Sequence, residues 1–146
     1  MLRRLTSTAA TWATVPLRLA LGITFIAHGM QKVFGAWSGP GLARFASFPS
    51  PFPFMRPAWL WMGAAAIAEL VGGILVLLGL LTRVGAFLIT CVMLTAMIGV
   101  HWRNGFFFTP TSMGIEFTLG LLAIALALLI AGGGKASVDR MIGGRR

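Results

Sequence analysis

Four apolar stretches, each near the length that crosses a lipid bilayer, constrain this chain more than any other feature. They cover residues 15–34, 58–80, 82–102 and 113–131. About 20 residues of helix span a hydrocarbon core. Lipid offers no partner to a bare backbone, so each stretch is expected to be a continuous helix. The expected fold is therefore all-α: a single domain forming a four-helix transmembrane bundle, with a long outer loop between helices 1 and 2. Composition agrees, since 58% of the 146 residues are hydrophobic and only 10% are charged. A soluble domain of this size could not bury so much apolar surface.

The connections differ in kind. Residues 79–83, GLLTR, make so short a turn that runs two and three must be antiparallel neighbours. Residues 101–112, HWRNGFFFTPTS, carry Asn-Gly and Thr-Pro breakers. Residues 35–57, GAWSGPGLARFASFPSPFPFMRP, hold too many glycines and prolines for a long helix. Their Trp and Phe side chains suit a membrane interface, so a partly ordered loop covering the mouth of the bundle is expected. At the N-terminus, Arg18 interrupts the apolar region and no convincing cleavage site follows. The first run is expected to be a retained helix, not a secretory signal.

The formal net charge is +9. The basic residues cluster at the ends of apolar runs and at the termini, which sets membrane orientation and argues against nucleic acid as a partner. With an even number of spans, Arg3, Arg4, Arg83, Lys135, Arg140, Arg145 and Arg146 share one side, with Arg18 near it. Lys32, Arg44, Arg56 and Arg103 fall on the other. That bias predicts a multi-pass protein with both termini cytoplasmic and the aromatic loop facing outward. Cys91 is the only cysteine, so the chain can form no internal disulfide, CxxC pair or thiolate metal cluster.

Ionisable residues within spans are costly and mark candidate sites. They are Arg18, His28, Lys32, Glu69, His101 and Glu116. The segment FIAHGMQKVFG, residues 25–35, brings His28, Gln31 and Lys32 together. Arg18, Gly22, Phe25, Gly29 and Lys32 recur at helical spacing and share one face, with His28 on the same side. This face should turn inward, and its small residues admit a close neighbour. At a rise of 1.5 Å per residue, Lys32 lies roughly 3 Å and His28 roughly 9 Å below the outer edge, with Glu69 roughly 16 Å deep. Lys32, His101 and Glu116 are thus expected in one outer layer, with His28 beneath and Glu69 deeper. The plainer readings are that Lys32 and Arg18 snorkel to the interface and that His101-Trp102 is an interfacial anchor. Haem fits poorly, because His28 and His101 differ in estimated depth. His28, His101 and Glu116 lack a compact metal-binding motif, so no metal site is assigned.

RLALGITFIAHGMQKVFG (18–35), AELVGGILVLLGLLTR (68–83), HWRNGFF (101–107), GIEF (114–117) and GGGKASVDR (132–140) together resemble the DoxX family of small bacterial membrane proteins. The resemblance runs from about Arg18 to Arg140 and is weakest over ARFASFPSPFPFMRP (43–57). It implies a four-helix protein of the bacterial inner membrane. The family's name traces to a membrane subunit of a terminal quinol oxidase. Relatives resemble the large subunit of a thiosulfate:quinone oxidoreductase, and others look like partners of sulfur-handling or oxidative-stress proteins. Two readings of function follow. In the first, the chain is a redox-associated subunit that binds a quinone or docks an oxidoreductase partner. There His28, Lys32 and His101 bond the head group, and Glu69 and Glu116 tune them. The chain shows no electron carrier of its own, and catalysis is not assigned to it alone. In the second, it is a non-catalytic membrane scaffold, as a homo-oligomer or with other proteins, and its polar residues lock the bundle. A small transporter fits less well, since neither broken helices nor repeats are evident.

Overall fold

The computed structural model describes residues 5–143. Helix α1 runs Thr14–Phe34 and ends where Gly35 turns left-handed, at φ 72°. A short 3-10 turn at Ala36–Ser38 and helix α2, Gly41–Ala46, begin the long connection. Helix α3, Ala58–Leu78, starts after Pro57 and stops at Gly79, which is also left-handed. Helix α4, Thr82–Ala96, continues as a π turn, Met97–His101, and a 3-10 turn, Trp102–Asn104. A small hairpin pairs β1, Phe108–Thr109, with β2, Ser112–Met113. Helix α5, Glu116–Ala131, and helix α6, Val138–Gly143, are the last elements among the described residues.

The four long helices pack in order, α1 on α3, α3 on α4, α4 on α5, with α5 closing weakly back on α1. Their shared core holds Leu21, Phe25, Val76, Ile89, Leu122 and Leu128. Two of them, Ala58–Leu78 and the continuous Thr82–Asn104, are long and apolar enough to cross a membrane. Helix α5 is apolar but shorter. It starts at Glu116, later than the run at 113 suggests, because Ser112 and Met113 pair in the hairpin. The third run is also not one regular helix. It leaves α-geometry at Met97, near the place where Pro51 and Phe52 lie over Gly99.

Glycines set how closely the helices approach. A Cβ on Gly29 would lie 2.6 Å from the Leu70 backbone, and one on Gly73 would lie 2.8 Å from the Ile26 nitrogen. On the other side of α3, Gly72 and Gly85 face each other, and a Cβ on Gly85 would come within 2.9 Å of the Gly72 carbonyl. These contacts fix an axial offset between α1 and α3. Gly29 lies five residues from the end of α1, while its neighbour Leu70 lies twelve from the start of α3. Helix α3 thus extends beyond α1 at the loop end by roughly 10 Å, and α1 extends beyond α3 at the opposite, tail end. The loop containing α2 packs against both helices and occupies the step.

Candidate functional site

The offset creates two polar regions, one at each end of the bundle. At the tail end Arg18 is buried. Its Nε donates to the Val76 carbonyl at 3.0 Å, and its terminal nitrogens donate to Leu77 at 2.8 Å, to Gly133 at 3.0 Å and to Ala136. A cation thus caps the carbonyl end of α3, where the helix dipole favours it. Arg83 does the same for α5, donating to Leu129 at 2.6 Å and Ile130 at 2.7 Å. Asp139 is buried and accepts from the Leu81 nitrogen at 2.6 Å and the Thr82 nitrogen at 2.8 Å. Its Oδ2 also accepts from the Thr82 hydroxyl at 2.7 Å. These bonds cap the start of α4 and hold Leu81 at φ 45°, a conformation that disfavours a branched side chain.

The expected snorkelling of Arg18 is therefore corrected. Because α1 overhangs α3 at this end, the guanidinium meets bare helix-end carbonyls and turns inward. Asp139 was not among the sequence-based candidates. One signal could have found it: the chain has only three acidic residues, and an acid inside GGGKASVDR needs a partner.

At the loop end, Lys32 Nζ donates to both Glu69 oxygens, each at 2.6 Å. Glu69 is 3% exposed and the Lys32 side chain 23% exposed. The expected layering is corrected too. Lys32 does not share an outer layer above Glu69; it meets Glu69 directly, because the offset brings the end of α1 level with the middle of α3. Lys32 also lies over the Phe45 ring, 5.0 Å from its centroid, so a side chain of α2 touches the pair.

The pair lies at the wall of a cavity of about 890 Å³. Trp61, Met62, Ala65 and Ala68 form one side, and Leu88, Val92 and Ala96 form the other. Phe45, Phe48, Pro51 and Met55 from the long connection form its roof, and the π turn contributes Gly99 and His101. The helices touch backbone to backbone at Gly72 and Gly85, so the cavity fills the space between them beyond that contact. The lining is mostly apolar, and its main charge is the Lys32–Glu69 pair. Pockets of this size and composition suit small organic ligands, which take about 300–1,000 Å³.

The structure brings three of the five expected ligand-binding residues to this cavity: Lys32, Glu69 and His101. His101 Nδ1 is 2.9 Å from the Met113 carbonyl, which fixes its ring at the hairpin. His28 lies at the edge of the inward stripe with its ring exposed and outside the cavity lining. Glu116 is exposed at the start of α5, where its Oε2 accepts from the Phe108 nitrogen at 3.1 Å, away from the cavity. The roof residues were missed as site residues. Their Phe-Pro pattern suggested a surface loop, and only packing shows that it leans inward over Lys32.

The DoxX family profile matches residues 13–102, which include both partners of the ion pair and both main walls of the cavity. A protein of Bacillus subtilis that carries the name "Putative oxidoreductase CatD" is 31% identical, over 88% of this chain and 86% of its own length. An uncharacterised membrane protein of Mycobacterium tuberculosis is 30% identical, over 91% of this chain and 83% of its own. An uncharacterised protein of Haemophilus influenzae is 29% identical over 86% and 80%. No solved structure matches the chain. The family match covers more than half of the sequence, and two relatives reach this level of identity over nearly all of it, so the chain belongs to the DoxX family of membrane proteins.

Proposed function

We propose that this chain is a redox-associated subunit of a bacterial inner membrane, and that its loop-end cavity binds a quinone or a similar lipid. It crosses the membrane four times with both termini in the cytoplasm. The orientation rests on the basic residues at the tail end, among them Arg83 and Lys135. The observation that carries the binding reading is the Lys32–Glu69 pair set into an otherwise apolar cavity. A buried carboxylate held against an ammonium is costly to maintain where simple packing would serve. The name of the Bacillus relative points in the same direction.

The fit can be argued from the donor set. The Lys32 ammonium has three N–H groups, of which two face Glu69. The third can donate to a ring carbonyl in the cavity. Glu69 fixes the ammonium beside that oxygen. His101 offers a second polar contact on the π turn, a backbone irregularity frequent at functional sites. The Phe45 and Phe48 rings exclude water from above. A bound quinone would supply the electron-carrying chemistry that these side chains lack. An oxidoreductase partner would exchange electrons with it, and the outward roof is the surface such a partner would meet.

The test is binding in lipid nanodiscs, followed by quenching of tryptophan fluorescence on addition of a short-tailed benzoquinone. Saturable binding in the micromolar range, lost in Glu69→Gln and Lys32→Ala proteins that still fold, is the expected result. A wild-type protein that folds but shows no saturable binding to benzo- or naphthoquinones would overturn the reading and leave the scaffold as the better account.

A further inference from the structure

We infer that the cavity opens sideways into the bilayer between α3 and α4, and that this slot holds the single hydrocarbon tail of an amphiphile whose head accepts a hydrogen bond from Lys32. The inference deepens the proposed function and rests on it for the identity of the head group. Two residues carry the geometry. On α3, Leu60, Ala64, Ile67 and Val71 form one exposed apolar stripe. On α4 and the π turn that continues it, Phe87, Cys91, Leu94 and Ile98 form another. Ala64 and Cys91 belong to these outer stripes and also line the cavity. The cavity wall and the outer apolar surface are therefore continuous at both residues, so the slot has a side opening.

That opening lies deep. Cys91 is nine residues into α4, roughly 14 Å from its start, near the middle of a span. A side opening at this depth admits solutes from the hydrocarbon. The α3 wall is cut down by Ala64, Ala65 and Ala68, which leave room along roughly a turn of helix. The opposite wall is Leu88, Cys91, Val92 and Thr95. The slot thus offers an apolar groove ending beside one charge-assisted donor. A tail with one polar acceptor head satisfies both parts. A two-tailed phospholipid leaves one tail outside, and a water-soluble anion leaves the apolar walls wet.

Cys91 is the only cysteine, so it reports on the slot without engineering. The protein in phosphatidylcholine nanodiscs is treated with a membrane-permeant maleimide in the presence of three probes. These are a dimethoxy-dimethyl-benzoquinone with no tail and no free ring position that could add the thiol, the same ring with a decyl tail in place of one methyl, and monodecanoylglycerol. Affinities for each are measured in parallel for wild type, Ala68→Trp and Ala64→Trp, with thermal melts to establish folding. The expected result is at least tenfold slower labelling with the tailed quinone and no slowing with the tailless ring at equal occupancy. Ala64→Trp, at the side opening, should weaken the tailed quinone at least tenfold and leave the tailless ring unchanged, whereas Ala68→Trp, beside Glu69 in the cavity wall, should weaken both. If monodecanoylglycerol protects as well and no quinone is preferred, the slot stands and the quinone reading falls. If the tailless ring binds through Lys32 but no tailed probe protects Cys91 or responds to Ala64→Trp, the slot falls and the quinone reading stands. If no probe binds, protects or responds, both fall.

Discussion

The two ends of this bundle handle buried charge in opposite ways. At the tail end, Arg18, Arg83 and Asp139 bond mainly to backbone atoms at the ends of α3, α5 and α4. Their partners are groups that every helix leaves unpaired, so these side chains complete the fold. At the loop end, Lys32 and Glu69 bond to each other. Neither satisfies a helix terminus, and together they face a cavity. Charge that closes helix ends reads as structure. Charge that closes only on itself, beside an apolar cavity, is what the proposed binding site rests on.

The comparison breaks first at Arg18. Arg18→Ala leaves several buried carbonyls without a donor, each costing about 1–3 kcal/mol. The expected outcome is loss of most folded protein from detergent extracts, read by thermal melting and size-exclusion chromatography. A protein that melts within a few degrees of wild type would mean that the tail end is not the structural clamp described above.

The ion pair gives the sharpest contrast. Lys32→Met alone strands the Glu69 carboxylate and should destabilise by about 3 kcal/mol. The double variant Lys32→Met/Glu69→Leu should recover most of that loss, because a well-packed apolar pair is often as stable as a buried ionic one. Ligand binding should vanish in both. Recovery of binding along with stability would show that the pair is not the polar anchor.

A smaller effect is expected at Asp139. Asp139→Ala removes the cap of α4 and should cost about 1–2 kcal/mol, with affinity at the loop-end cavity unchanged. A melt detects the first change and a fluorescence titration checks the second. Coupled loss of affinity would mean that the two ends are not independent.

The smallest effect falls on the roof. A Cβ on Gly99 would lie 2.6 Å from the Pro51 side chain. Gly99→Ala should lift the loop slightly, weaken ligand by about threefold to tenfold, and lower the melting temperature by no more than an overpacking cost of about 1–3 kcal/mol allows. An unchanged affinity would remove the roof from the binding surface.

Much of this was legible in the sequence. The helix starts at 58 and 82 match, and the inward stripe of α1 carries Arg18, Gly22, Phe25 and Gly29 as its spacing required. Helical periodicity is a local property, so neighbouring residues alone determine which face is small and polar. The short GLLTR turn made α3 and α4 neighbours for the same reason. The π turn at Met97 and the late start of α5 were not legible, because each depends on a segment packed from elsewhere: the roof loop on Gly99 and the hairpin ahead of Glu116.

By itself, the sequence determined the number of apolar runs, the membrane setting and the short list of polar groups needing an explanation. Tertiary structure alone decided which of those groups meet. Depth counted from helix ends placed Lys32 well above Glu69, since it assumed that all helices begin level. The glycine contacts at Gly29 and Gly73 instead slide α1 and α3 past each other. That offset sends Arg18 to the carbonyls of α3, seats Lys32 on Glu69 and leaves Glu116 apart. Axial register is set by side chains interlocking across two helices, and no spacing within either one can encode it.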